Sequence, residues 1–576
     1  MDIYTVTIAI SILVYIAIGG YAGRGIKQLD DYYVAGRRAP TLIILGTLVA
    51  SVMSSTMFLG EAGFSYAGQA GPYVLFPQTA CIGYVIGALF FGRYLRRSRA
   101  TTVADFFGQR FNSTRVQALA GFTIILALGG YLLAVTQGAG ILLSQLSDLS
   151  YAEALVVAWL SYTLFTIYSG SRGVILTDTL MFLLFTFASF FAIVFLVDHF
   201  GGWPSIIEDL VAIEDKADLM SWHGIVGSGT EWPTATDYLI WALVIDFSWM
   251  LVYSVSPWQS SRHLMAKNEH VVLRAAIIAC VVVALLQVMV YGMGGVINLG
   301  KSDIEPYESA TIWASLYMLP KVLGALMLAG IVAAILSSAS TFLSLVGFSA
   351  SNDIGIHKSL DEKKTLFFSR AMMLVIGLLV LAAAFLFPPD IFWLTTFIAT
   401  VFASSWGPVG FMSIWSKRIT ESAAFWGMLS GLVCNVVPKF FEFIGMLDLS
   451  SYLDPAIIGA VASLIVTIAV SRVTFVSNEE KAYIQKLHQT PADEINSKRT
   501  RNTCLASGVL IANGLIMPPV LINYYVRPYQ SATGTLFSDG SLNWFTGEAM
   551  LALSWFVLYV PLGIFAMRAI RKNYSR

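Results

Sequence analysis

The sequence predicts an all-α polytopic membrane protein of about 15 transmembrane helices. Three observations point to it. AVILMFWYC residues make up 57% of the 576 and DEKR only 12%, against roughly 25% charged in an ordinary soluble domain. Apolar runs of about 20 residues, the length that crosses a bilayer core, recur along the chain. The basic residues also gather on one side of those runs, as the positive-inside rule requires. Together these exclude a soluble enzyme, a disordered chain and a nucleic-acid binder. With 35 Lys and Arg against 35 Asp and Glu, no net charge draws a polyanionic partner.

In order, the runs occupy 3–22, 41–66, 72–95, 116–146, 151–169, 173–199, 237–260, 271–299, 318–350, 367–388, 390–415, 421–444, 455–474, 502–525 and 545–568. The first has no basic n-region and no small-residue cleavage site, so it reads as a retained helix. With the N-terminus outside, every Lys and Arg falls at a cytoplasmic end except Lys216, Lys301, Lys321, Lys439 and Arg527. The C-terminus is then cytoplasmic, in a plasma (inner) membrane. The outer loop 200–236, with Trp203, Trp222 and Trp232, reads as an ordered cap. The charged inner loop 475–500 reads as a solvated linker carrying a short amphipathic helix. Cys81, Cys280, Cys434 and Cys504 stand singly, which supports neither a disulfide framework nor a zinc site. There is no G-x-x-x-x-G-K-[ST] loop, so the chain is read as no enzyme and its energy source as something other than bound ATP.

Polar groups at membrane depth are costly and therefore mark function. Ser51, Ser54, Ser55 and Thr56 crowd the middle of the second run; if the helix opens there, its freed carbonyls need an ion, a ligand or a neighbour. At 100° per residue, Ala334, Ser337, Ser338, Thr341 and Ser344 share one stripe of the ninth run, with Ser340 one step round. Such a stripe either packs another helix closely or offers hard oxygens to a hard cation such as sodium. Asp178 lies early in the sixth run with no Lys or Arg on its face, so a bound cation is its expected partner, ahead of a neutral or hydrogen-bonded carboxyl near the cytoplasmic end. Asp246 precedes Ser254, Ser256 and the helix-interrupting Pro257. Glu61 follows the hydroxyl cluster; both carboxylates face either the transport route or the outer surface.

Five stretches, in order, resemble the sodium/solute symporter family over roughly residues 25–475. They are Asp31 to Arg37, Thr102 to Phe111, Gly170 to Asp178, Gln259 to Lys267, and Trp406-Gly407-Pro408 with Trp415 to Arg418. The resemblance implies a LeuT-like core of two inverted five-helix repeats with extra N- and C-terminal helices. The chain then divides into an N-terminal helix and loop (1–40), a first repeat (41–199), an extracellular loop (200–236) and a second repeat (237–415). Two peripheral helices (416–474), a cytoplasmic loop (475–501) and two additional helices (502–576) follow. It further implies Na+ as coupling ion, held by the carbonyls of Ala50, Met53 and Ala334 and the hydroxyls of Ser337 and Ser338. A second sodium site would use Asp178, Ser340 and Thr341, giving two ions per cycle. Val52 departs from proline-type members, which carry an aspartate there.

The cargo is a small organic solute, met by Ser54, Ser55, Gln78, Gln137 and Asp246. The run Ser54 to Gly60 resembles members that carry organic acids or pantothenate, whereas Asp246 and Glu61 favour an amine; amino acids and sugars stay open. A transporter-like sensor and a channel are the alternatives from other classes. Sodium, solute and the lipid bilayer are the expected partners, with no nucleic acid and no obligate protein partner evident.

Overall fold

The computed structural model describes residues 2–26, 28–354, 362–447, 449–450 and 453–575, without the side chain of Phe443. Lys27, Lys358 and Arg576, assigned above to the cytoplasmic side, lie outside the described residues. Helix dominates. Among the described residues the only β contact is one isolated bridge between Ala39 and Ala266.

The membrane helices are α1 (Ile3–Gly23), α2 (Thr41–Ala50), α3 (Thr56–Leu75), α4 (Pro77–Ser98), α5 (Thr114–Leu146) and α6 (Tyr151–His199). After the loop 200–234 come α7 (Ala235–Val255), α8 (Pro257–Met265), α9 (Glu269–Val296), α10 (Lys321–Asn352), α11 (Glu362–Leu386) and α12 (Ile391–Trp415). The periphery adds α13 (Glu421–Phe443), α14 (Pro455–Val473), α15 (Ser497–Leu521) and α16 (Gly547–Tyr574).

Twelve described helices are long and apolar enough to cross a membrane, or thirteen if the bent pair α3 and α4 is one span. The sequence count of about 15 divides α6 into two spans and takes α3 and α4 as crossing the membrane. The expected spans 151–169 and 173–199 both fall in α6, which joins two helices at a break at Gly170 with φ 51° and ψ −152°. Unbroken, it would extend about 73 Å, more than twice a bilayer core. A Cβ at Gly170 would meet Tyr32 Cδ2 at 2.5 Å, so both the backbone angle and the close approach require glycine. The expected span 41–66 is divided in turn between α2 and α3.

Burial sorts the helices into a core and a rim. α10 is buried on almost every side, and α9 nearly so, whereas α1, α13 and α14 leave most of their apolar surface to lipid. Small residues make the close packing in the core possible. Gly330 of α10, for instance, lies against Phe185 of α6, and Gly46 of α2 against Thr179.

The loop 200–236 is ordered against the ends of the core helices. Gly71 N donates to Leu219 O, Ile225 N to Gly68 O, and Trp232 sits edge-on to Phe64. Lys216 donates to Tyr66 O and Asn298 Oδ1 over the Tyr66 ring, and burial pulls its ammonium down to about 8. The loop 475–500 carries the helix Asn478–Leu487, started by a capping box between Ser477 and Glu480. The terminal helices α15 and α16 pack on each other and join the core through polar contacts. Gln78 Nε2 donates to Ser554 Oγ (2.8 Å), and Tyr574 donates to Glu269, which also pairs with Arg97 at 2.7 Å.

Candidate functional site: two helix breaks facing α10

The first break lies between α2 and α3. Its cause is local: short hydroxyl side chains compete for backbone partners and weaken the helix. Ser51 Oγ turns back to Leu48 O (3.2 Å), and Ser54 Oγ accepts from Thr56 N (3.1 Å). The second break is Ser256-Pro257. Proline supplies no N–H and holds the residue before it in extended geometry, and Ser256 has φ −59° and ψ 149°.

Opening the first helix frees carbonyls, and α10 meets them with hydroxyls. Ser337 Oγ lies 2.8 Å from Ala50 O and 2.9 Å from Ala334 O. Ser338 Oγ lies 3.4 Å from Ser51 O, and Ser340 Oγ donates to Ser337 O (2.9 Å). Met53 is buried at the same break. Chain segments nearly 300 residues apart (|i−j| 287) thus converge as a cluster of hard oxygens, the donor type that suits an alkali cation. No cluster of three His, Cys, Asp or Glu side chains that would hold a metal ion occurs among the described residues.

The second break joins the first: Gln259 Nε2 of α8 lies 3.4 Å from Ser51 Oγ. Around the two breaks, Ser55 Oγ, Thr56 Oγ1, Ser256 Oγ, Gln259 Oε1 and Ser260 Oγ are buried without a hydrogen-bond partner. Each such group costs roughly 1–3 kcal/mol, so their concentration marks a place shaped for a ligand.

Asp178 corrects one expectation. A basic side chain does meet it: Arg262 Nη2 lies 3.5 Å from Asp178 Oδ2, with the two side chains 1% and 0% exposed. The same guanidinium donates to Thr341 Oγ1 and, through Nε, to Thr47 Oγ1 (3.2 Å), while Thr47 donates to Asp178 Oδ2 (2.6 Å). The sequence had put Arg262 at a cytoplasmic end. The break at Pro257 restarts the helix inside the protein and carries Arg262 into the core. Asp178 Oδ1 remains without a partner.

The residues expected to meet solute separate. Ser55 faces Gly138 of α5, where an added Cβ would come 2.5 Å from Ser55 Cβ. Gln137, beside Gly138, donates to Phe387 O (3.0 Å) and keeps Oε1 unpartnered. Gln78 turns the other way, to Ser554, and does not join them. Asp246 lines a separate cavity with Glu61. Sequence reasoning missed Thr47, whose only signal is its place one turn before the hydroxyl cluster, and the aromatic residues of that cavity, which read as ordinary apolar positions.

The chain is 24% identical over 424 residues to the sodium/pantothenate symporter of Haemophilus influenzae, covering 70% of this chain and 83% of that one. It is 24% identical over 469 residues to the sodium/proline symporter of Escherichia coli, covering 77% and 89%. Among solved structures, a Na+-coupled sialic acid symporter in a substrate-bound outward-open state superposes with a TM-score of 0.69 at 17% identity, over 83% of this chain and 99% of that one. A nucleobase-cation-symport-1 family transporter follows with a TM-score of 0.53 at 12% identity, over 79% and 98%. These likenesses show the LeuT-like fold. Residues 32–431 match the sodium:solute symporter family, to which the chain belongs.

Proposed function

We propose that the chain imports a small organic solute by alternating access, one sodium ion per cycle, with the ion bound where the first helix break meets α10. Sodium as coupling ion follows from the family. The single observation that carries the ion's position is the approach of Ser337 to Ala50 O across the break (2.8 Å). An ion held by Ala50, Met53, Ala334, Ser337 and Ser338 ties α2 and α3 to α10. That favours the outward-facing form that binds solute, and release into low internal sodium loosens the tie. The repeats 41–199 and 237–415 belong to this reading, each opening on a broken helix, with the N-terminus outside.

A single ion is favoured over two because Asp178 already has a cation. Adding sodium beside Asp178, Ser340 and Thr341 would leave that buried cluster one positive charge in excess, at a high desolvation cost. The test is sodium-driven uptake into proteoliposomes, with potassium replacing sodium in the control. Expected are accumulation that requires sodium and a sodium Hill coefficient near one. Uptake that is unchanged in potassium overturns the coupling site, and a Hill coefficient near two restores the second ion.

A further inference from the structure

A second cavity lies beside the two breaks, and the site described above does not use it. Its walls come from α3, α4, α7, α9 and α12, and it contains two carboxylates, Glu61 and Asp246. Tyr73, Trp241, Trp249 and Tyr291 supply much of the remaining surface. Tyr73 and Tyr291 meet edge-on at 4.8 Å between ring centroids, and Trp241 lies 6.0 Å from Trp393, so the rings hold one another in place. No Lys, Arg or His lines the cavity. Asp246 Oδ2 is buried there without a hydrogen-bond partner.

The location follows from the breaks. Glu61 lies five residues into α3, beyond the first break, and Asp246 ten residues before Ser256, about 15 Å along α7. With the N-terminus outside, both displacements run toward the outer face, so the cavity lies on the approach from outside to the breaks.

Two carboxylates at membrane depth are costly unless protonated or met by positive charge, and no basic side chain lines this cavity. Aromatic faces attract a cation through the ring quadrupole, and such walls suit an organic ammonium, whose alkyl groups also gain apolar contact. A carboxylate solute would find repulsion from both acids and no basic partner, which tells against the organic-acid lean of the sequence. We propose that the transported solute is an organic cation, an ammonium-bearing molecule received between Glu61 and Asp246 against Trp241 and Tyr73. This rests on the sodium-coupled import proposed above and names its substrate class.

The experiment uses the full chain in proteoliposomes on a solid-supported membrane, with currents read after concentration jumps. A sodium jump alone tests coupling; solute jumps at constant sodium then test the class. The probes are choline and ethanolamine against pantothenate and D-galactose. Expected are sodium-dependent currents from choline or ethanolamine, and a rise in the half-saturating concentration of the responding amine of about tenfold or more in D246N. Monodisperse elution of the variant in detergent verifies folding, and E61Q takes its place if D246N does not fold. If the sodium jump moves no charge, the coupling reading fails whatever the solutes do. If it moves charge while only pantothenate or D-galactose responds, or no probe responds, the substrate class is overturned. The class also falls if a correctly folded variant keeps the amine's half-saturation within about twofold of the parent.

Discussion

Ser337 and Ser338 do for this chain what a carbonyl-lined break cannot do alone: they bring side-chain oxygens from a distant helix to backbone oxygens released by the break. Removing either hydroxyl removes one oxygen from the proposed ion. Ser338→Ala and Ser337→Ala are expected to raise the sodium concentration for half-maximal uptake by about tenfold, equivalent to roughly 1.4 kcal/mol. Sodium titration of uptake checks this, and an unchanged titration in Ser338→Ala removes the assignment. Asp178 and Arg262 give a different signature, because each is the other's counter-ion in a dry site. Asp178→Asn leaves a buried guanidinium without its charge partner, a loss of about 3–5 kcal/mol when a buried pair is broken. The double variant with Arg262→Gln leaves no unpaired charge and is expected to recover part of that loss. Thermal unfolding followed by intrinsic fluorescence distinguishes the two; equal midpoints for the single and double variants would mean that the pair is not coupled.

Among the elements, α6 shows how one residue divides a helix. Gly170 combines φ 51° with ψ −152°, a region essentially reserved for glycine and costing other residues roughly 1–3 kcal/mol, and Tyr32 fills the space a Cβ would need. Gly170→Ala is expected to lower the unfolding midpoint and the yield of folded protein, through strain and through displacement of Tyr32, whose hydroxyl donates to Ile167 O (2.8 Å). A melting curve that matches the parent would show that the break tolerates a side chain. The elements were legible in the sequence to unequal degrees. The hydroxyl cluster at 51–56 and Pro257 announced both breaks, because their chemistry acts on the local backbone. The division of α6 was legible too, since the apolar runs 151–169 and 173–199 separate at the break, but only the packed structure shows Tyr32 filling the space beside Gly170.

For the whole molecule, the measurable quantity is charge. Each elementary charge crossing 100 mV contributes about 2.3 kcal/mol. One sodium ion with a neutral solute therefore provides roughly 40-fold accumulation from voltage alone, and one sodium ion with a monovalent organic cation moves twice that charge. Import of an ammonium solute is thus expected to carry two positive charges per molecule, measured as integrated current against isotope uptake in the same vesicles. A ratio of one charge per solute would contradict either the cation or its sodium partner. The cap and the C-terminal pair belong to this scale as well. Tyr525 donates to Met220 O and Trp222 N to Glu548, so the terminal helices are bonded to the loop above the core as well as to lipid-facing surface.

Composition and apolar run length were enough to indicate a polytopic all-α membrane protein, and the ordered motifs, through the family they resemble, its transporter fold. They are properties of single segments, set by how each segment meets lipid or water. Pairing was decided only by tertiary structure. That Arg262 neutralises Asp178, that Gln78 serves the C-terminal helix, and that Glu61 and Asp246 share one aromatic chamber all depend on side chains brought together across helix breaks. A sequence read segment by segment contains the breaks but not the directions in which the chain continues from them.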